Sequence, residues 1–519
     1  MALAEQERPA TLVDDPIPVA LRLRPAQREG LHERFAPSDP SPGWDLTARS
    51  PRLARLVKSR RFQFFLILPN QIVFWTVIFV GLFGTVVPGL NFGTAITWYV
   101  WFCLVFVMMV VVGRAWCSMC PFGGFAEWVQ RRTFWQRTQK TLGLGWKFPE
   151  PLARYGFVIP VASFVLLTWI EEFFNIAGPG SPAYTSWMVV GIVSSALIFF
   201  LLFERRTFCR YICPLSTLIG TVGSMGSVAG FRTRDREVCL SCRTKDCMRG
   251  SEKGYGCPWY TWPGSADSNL YCGLCSECYK SCPEGNVGLF VQKPLTSVVA
   301  PKRRRADVAW GIAFLWGLVL YQQVNATNGF ASADSWLNHQ LGFPHYPDPI
   351  DYIGFIVLAA LATAGVGRLM ATAFASRSAN LERPGNFLDR LSRFRSFFAP
   401  MAYGLVPVVG ADYFARQLPK FLQHATRVVP ALAHIGGFSS VRSPIYSFSI
   451  MTNGWIVFTQ VAVVVVGTMA ASWSTWKIAG RELVPVSRNA LGVRLATVGF
   501  VLACGAAAAV LYVMMHAAD

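Results

Sequence analysis

The sequence predicts a mainly α, polytopic helical membrane protein of about nine spans, with a cysteine-rich insertion between spans four and five. Three observations predict this. Of the 519 residues 53% are hydrophobic and only 15% charged, and the mean hydropathy is +0.36. Several apolar runs approach or exceed the ~20 residues a helix needs to cross a bilayer. Twelve of the 14 cysteines fall in four tight groups, two at the ends of apolar runs and two within one polar segment.

Residues 1–60 read as a disordered cytoplasmic N-terminus, rich in Pro, Arg, Asp and Glu and without a periodic apolar face. No basic-then-apolar start with a small-residue cleavage site is present, so no cleaved signal peptide is expected. Arg52, Arg55, Lys58, Arg60 and Arg61 directly precede the first apolar run. Spans are predicted at 65–87, 95–113, 157–177, 183–203, 310–324, 353–373, 397–415, 447–471 and 492–515. Lys and Arg collect between spans two and three (Arg131, Arg132), four and five (Arg205, Arg206, Arg304, Arg305), six and seven (Arg390, Arg393, Arg395) and eight and nine (Lys477, Arg481). Basic residues stay on the cytoplasmic side, which puts these segments and the N-terminus inside and the C-terminus outside. Lys420, Arg427 and Arg442, between spans seven and eight, run against this pattern. The net charge of +19 and pI near 9.6 follow from topology and attraction to anionic lipid; nucleic acid is not an expected partner. The resulting division is 1–60, a four-helix membrane domain over 61–230 with two Cys-Pro motifs, a cysteine-rich domain over 231–300, and a second membrane domain of about five helices over 301–519.

The cysteine spacing carries the chemistry. Cys272-x-x-Cys275-x-x-Cys278-x-x-x-Cys282-Pro283 is the run in which three thiolates hold one 4Fe–4S cluster and the fourth, before proline, holds another. Zinc sites place cysteines as two separated pairs, and the four cysteines of this short run are too crowded for independent disulfides. Upstream lie Cys239, Cys242, Cys247 and Cys257-Pro258. With the usual crossover, Cys239, Cys242, Cys247 and Cys282 bind one cluster and Cys257, Cys272, Cys275 and Cys278 the other. The four residues between Cys242 and Cys247 and the nine before Cys257 depart from the compact spacing, which leaves this pairing open. Two further pairs, Cys117/Cys120-Pro121 and Cys209/Cys213-Pro214, follow spans two and four and arrive at the same face. Together they supply four thiolates, enough for a third cluster; a mononuclear copper or zinc site, a redox disulfide and structural thiols are the alternatives.

These motifs resemble the membrane polyferredoxins of the NapH, NosR and CcoG (RdxA/FixG) type, over roughly residues 61–293. Cys209 to Pro214 fits the family's Cys-x3-Cys-Pro motif in full, and Cys117 to Pro121 is one residue short. The resemblance implies a bacterial plasma (inner) membrane protein moving electrons between the quinone pool, or a cytoplasmic donor, and a respiratory or periplasmic partner. A quinol-dehydrogenase-like oxidoreductase subunit fits that role, as does copper handling for oxidase assembly. The chain departs from the NosR type in lacking a flavin-binding domain before span one. It departs from the CcoG type in carrying helices after residue 306 in place of an immunoglobulin-like tail.

Outside the clusters, His339, His345, His424 and His434 lie in loops; no haem-binding pattern accompanies them, so haem b is not expected and they read as interfacial. Asp412 within span seven and Glu171-Glu172 at the end of span three are stronger candidates, because a carboxylate at membrane depth is expensive. Cys103 and Cys504 stand alone in apolar helices and read as inert. No nucleotide loop or nucleophile elbow is present. The reading is a membrane-bound iron–sulfur electron-transfer protein. A metal-handling assembly factor and a redox-sensing transporter are the alternatives, although no convincing repeat of the kind transporters show is evident.

Overall fold

A computed structural model describes residues 43–136, 141–178, 180–301, 304–341, 349–375, 387–435 and 448–516. It is mostly helical, at 71%. Among the described residues seven helical stretches are long and apolar enough to cross a membrane: Phe62–Phe83, Phe92–Val112, Pro182–Leu202, Ile350–Phe374, Phe394–Ile435, Asn453–Val486 and Ala490–Met515. They correspond to seven of the nine predicted spans. The other two are helices with a different setting. Val158–Phe173 has 16 residues, and Ala306–Val324 has 19 and ends on Gln322 and Gln323. Val158–Phe173 is too short to count, burying only Pro160, Val161, Phe164 and Thr168 and leaving Leu166 exposed; Ala306–Val324 lies inside the bundle, with Val308, Ala309, Ala313, Leu315, Leu318 and Val319 fully buried and Gly311 packed on Phe157 and Val161. A helix covered by other helices needs less apolar surface than one facing lipid, so its sequence signal is weaker.

The predicted seventh span is broken. Helices Phe387–Gly404 and Val406–His424 meet at Leu405, with Pro407 in the first turn of the second. Proline is tolerated there because the first-turn amides have no partner within the helix. Gly404 lies against Thr475, an approach that leaves no room for a Cβ. One apolar core runs through both membrane blocks, from Phe106, Phe164 and Leu218 to Tyr413, Val464 and Tyr512.

A three-stranded antiparallel sheet, ordered β1-β3-β2, frames the cysteine-rich segment: β1 (Trp44–Asp45), β2 (Val228–Thr233) and β3 (Val287–Val291). β1 lies within the segment predicted to be disordered, as do helices Leu46–Arg49 and Pro51–Lys58; residues 1–42 are outside the described range. The order has identifiable causes. Asp45 caps the first helix through the Ala48 amide and pairs with Arg234 at 2.6 Å, and Ser50 caps the second ahead of Pro51.

Candidate iron–sulfur sites

The two Cys-Pro pairs are built alike. Helix Phe92–Val112 stops at Gly113, whose φ of +66° a side chain would disfavour, and Trp116–Met119 then carries Cys117 to the N-cap position at Cys120. Helix Pro182–Leu202 is followed by Thr207–Tyr211, which carries Cys209, and by Cys213 as N-cap. In both copies proline opens the next helix, Pro121–Arg131 or Pro214–Gly223. Proline forces the preceding cysteine into extended backbone (ψ 125° at Cys120, 119° at Cys213), so each chain turns sharply at its sulfur.

The four thiols come together. Burial, with Cys120 and Cys117 adding to it, pushes Cys213 up to about 12; burial, with Cys117 adding to it, raises Cys120 to about 11. Burial also raises Cys209, with Cys213, Cys120 and Cys117 acting the same way and Arg206 opposing. A Cβ on Gly123 would sit 3.1 Å from Cys209 Sγ, so the helix of the first copy starts against a sulfur of the second.

Two buried arginines tie the copies together reciprocally. Arg206, 1% exposed, donates to Glu127 Oε2 (2.5 and 3.2 Å) and to the Cys117 carbonyl (2.9 Å), both in the first copy. Arg114, 2% exposed, donates to Ser216 Oγ in the second copy and to the Leu270 carbonyl. Its Nε lies 3.4 Å from Cys117 Sγ and its guanidinium 4.2 Å over Trp259. From sequence Arg114 passes unnoticed and Arg206 counts only as a charge that sets topology, yet each stands three residues before a cysteine, as Arg114-x-x-Cys117 and Arg206-x-x-Cys209. That recurrence is the signal that reveals the pair.

The cysteine-rich segment gathers its eight thiols into two sets. Burial pushes Cys247 up to about 12, with Cys239, Cys282 and Cys242 its nearest charged-form competitors. These four line one cavity with Lys245, Trp262 and Asn286. Cys239 Sγ lies 3.0 Å from Thr233 Oγ1 and accepts from Asn286 Nδ2 at 3.4 Å. Burial likewise raises Cys278, next to Cys257, Cys275 and Cys272. Around this second set the Thr261 amide points to Cys257 Sγ (3.4 Å) and the Phe231 amide to Cys272 Sγ (3.5 Å). The grouping is that of the crossover pairing.

All 14 cysteines are free thiols. Among the described residues no three His, Cys, Asp or Glu side chains converge around a single-ion position. Clustered buried thiols that raise one another ionise only when a cationic centre offsets the cost, as iron does. The donor sets therefore fit 4Fe–4S clusters.

Residues 94–140 and 185–229 each match the family described as a 4Fe-4S binding domain. The matches support an iron–sulfur protein of the ferredoxin type. The two matches cover one Cys-Pro pair each, so the iron–sulfur protein contains an internal repeat that sequence reading missed. They leave the segment 239–282 outside. No curated protein and no solved structure matches the chain.

The remaining candidates lie apart from the cysteines. Cys103 packs with Leu418, Leu422 and Ile456, and Cys504 is buried in the common core. The histidines expected in loops lie on helices where they are described: His424 ends Val406–His424 with its ring tilted 5.2 Å from that of Tyr99, His339 is exposed on Asn328–Leu341 and His434 half-buried on Val428–Ile435, and His345 falls outside the described residues. Glu172 meets Arg416 (3.4 Å) and Glu171 meets Lys420 (3.7 Å).

Gly230 offers a direct test of the second set. It sits at the irregularity of β2 with φ +94°, and a Cβ there would lie 2.7 Å from Cys272 Sγ. Gly230→Ala is expected to lower iron occupancy at Cys257, Cys272, Cys275 and Cys278 while leaving membrane insertion intact, measured by iron content and cluster spectroscopy.

Proposed function

We propose that this protein is a membrane-bound electron relay with three 4Fe–4S sites: Cys239, Cys242, Cys247 and Cys282; Cys257, Cys272, Cys275 and Cys278; and Cys117, Cys120, Cys209 and Cys213. When bound, each cluster takes up and gives back a single electron. The observation that carries the reading is continuity. Cys209, Cys247, Cys257, Cys275 and Cys278 belong to one buried core, against which Cys117, Cys213, Cys272 and Cys282 pack. Cys247 faces Cys257, and Arg206 faces both Cys209 and Cys275, so neighbouring sets are bridged by protein and water is kept out. The chain supplies thiolates, amide and hydroxyl contacts to sulfur, and burial, which are the levers on cluster potential.

The basic segments favour an N-terminus and cysteine face in the cytoplasm of a bacterial inner membrane. The NapH/NosR/CcoG resemblance favours the quinone pool or a cytoplasmic donor at one end and a respiratory or periplasmic partner at the other. Anaerobic purification followed by iron, sulfide and metal analysis and a redox titration tests the proposal. About 12 iron atoms and 12 sulfides per chain are expected from three cubanes. Zinc or copper without sulfide would replace the relay with a metal-handling role.

A further inference from the structure

The second membrane block holds chemistry that an electron relay does not use. Asp412 is fully buried in helix Val406–His424. Its Oδ1 accepts from Gln323 Nε2 and from the Tyr512 hydroxyl at 2.9 Å, both neutral donors. Asp412 Oδ2 and Gln323 Oε1, both buried, have no partner among the described residues. An ionised carboxylate so placed would keep an unsatisfied oxygen in the membrane interior, the costliest setting for a charge. One proton removes both deficits. Placed on Asp412 Oδ2, it donates to Gln323 Oε1 while Gln323 Nε2 donates to Oδ1, which is the cyclic pair that a carboxylic acid and a primary amide form.

A second carboxylate is bonded by the neighbouring glutamine. Gln322 Nε2 donates to Glu172 Oε1 at 2.9 Å, and Arg416, one helical turn after Asp412, reaches the same oxygen at 3.4 Å and the Gln322 carbonyl at 2.9 Å. Glu172 Oε2 is also without a partner among the described residues. Glu172 stands at the end of Val158–Phe173 where Phe173 and Phe174 are exposed, about 20 Å along that helix from the end that meets Thr217. The other titratable groups packed around the two carboxylates are Glu171, Lys420, Tyr352, which bonds Thr168 at 2.6 Å, and Tyr413, which donates to the Leu315 carbonyl at 3.1 Å.

We propose that Asp412 is a proton-binding site, with the proton shared with Gln323 and exchanged with the aqueous face at Glu172, water carrying it between the two carboxylates that Gln323 and Gln322 align. In the exchange Asp412 gives up its Oδ2 proton and becomes a carboxylate, Glu172 accepts a proton and becomes an acid, and water at the helix end takes that proton on. Two carboxylates, each aligned by one of two adjacent glutamines, form the path. Arg416 bonds the outer carboxylate directly and stands one helical turn from the inner one, whose own hydrogen-bond donors are both neutral.

Infrared spectroscopy of the full chain in lipid nanodiscs at neutral pH tests this without reference to iron. A protonated-carboxyl stretching band is expected that shifts in D2O and on carbon-13 labelling of aspartate carboxyls, but not of glutamate carboxyls. Asp412→Asn should lose the band; Glu172→Gln should keep it and slow its D2O shift severalfold. Absence of an aspartate band from the labelled wild-type chain, its survival in Asp412→Asn, or its disappearance on adding sodium ions at constant pH overturns the proton site. An unchanged exchange rate in Glu172→Gln overturns the route. The labelled wild-type chain decides for or against the proton site even if a variant does not fold.

Discussion

Cys213→Ser is expected to remove all the iron and sulfide of the site at the repeat interface, and Cys120→Ser is expected to do the same. Each copy of the repeat supplies two of the four thiols, so neither copy can hold a cubane alone. Burial and the neighbouring thiols hold Cys213 up near 12, so in the absence of iron the set is protonated and gains nothing from keeping its geometry. Serine offers an oxygen that is a poor substitute for thiolate on iron. Because the four residues act as a unit, the Cys120→Ser, Cys213→Ser double variant should be little worse than either single. About four of the 12 expected irons should be lost in each case, with the signals of the other two clusters retained. Cys275→Ser should remove a different signal. Iron analysis and low-temperature EPR on the singles and the double check this. Full iron in either single variant would make these cysteines structural thiols and leave a two-cluster relay.

The legible parts of this protein were those whose physics is local. Transfer of about 20 apolar residues into lipid is a property of one stretch of chain, so seven spans stood out unaided. Cysteine spacing is equally local: the run from Cys272 to Cys282 can be read as a ligand pattern without help from the rest of the chain. Where the answer depended on distant partners the sequence was silent. That Ala306–Val324 is covered by other helices rather than by lipid could not be read from its own residues. Trp44–Asp45 became a strand because β3, on the far side of the first membrane block in sequence, offers an edge. The repeat was obscured because its copies keep only arginine, two cysteines and proline in common, with two residues between the cysteines in one copy and three in the other. Glu171 and Glu172 could not be assigned to water or to a partner until Arg416 and Lys420, from the other membrane block, were placed beside them.

Arg206→Met is expected to be the most damaging single change outside the cysteines. The side chain is 1% exposed, and its partner Glu127 is 5% exposed. Removing one member of a buried pair strands the other, at about 3–5 kcal/mol. Arg131, 2.5 Å from Glu127 Oε1, still offsets part of the charge and places the loss toward the lower end of that range. The change also frees the Cys117 carbonyl and withdraws the positive charge facing Cys209 and Cys275, so iron should fall at two sites at once. The pH dependence follows in sign. Burial raises the Glu127 carboxyl, but Arg131 and Arg206 together outweigh it and hold the group below its ordinary 4.5. A carboxyl depressed in the folded state contributes stability that is fully present above 4.5 and lost as pH falls through its folded value. Without Arg206 the depression shrinks, and acid unfolding should begin at higher pH. Arg206→Lys keeps the charge but not the fork that spans Glu127 and the Cys117 carbonyl, so it should fall between the two. Denaturant unfolding in detergent, with iron content measured alongside, separates the charge from the cluster contribution. Adding Glu127→Gln to Arg206→Met should recover much of the lost stability, since no buried carboxylate is then stranded, yet should not restore the iron. If stability and iron return together, the arginine matters only as a partner for Glu127, and the bridge between Cys209 and Cys275 plays no part in holding the clusters.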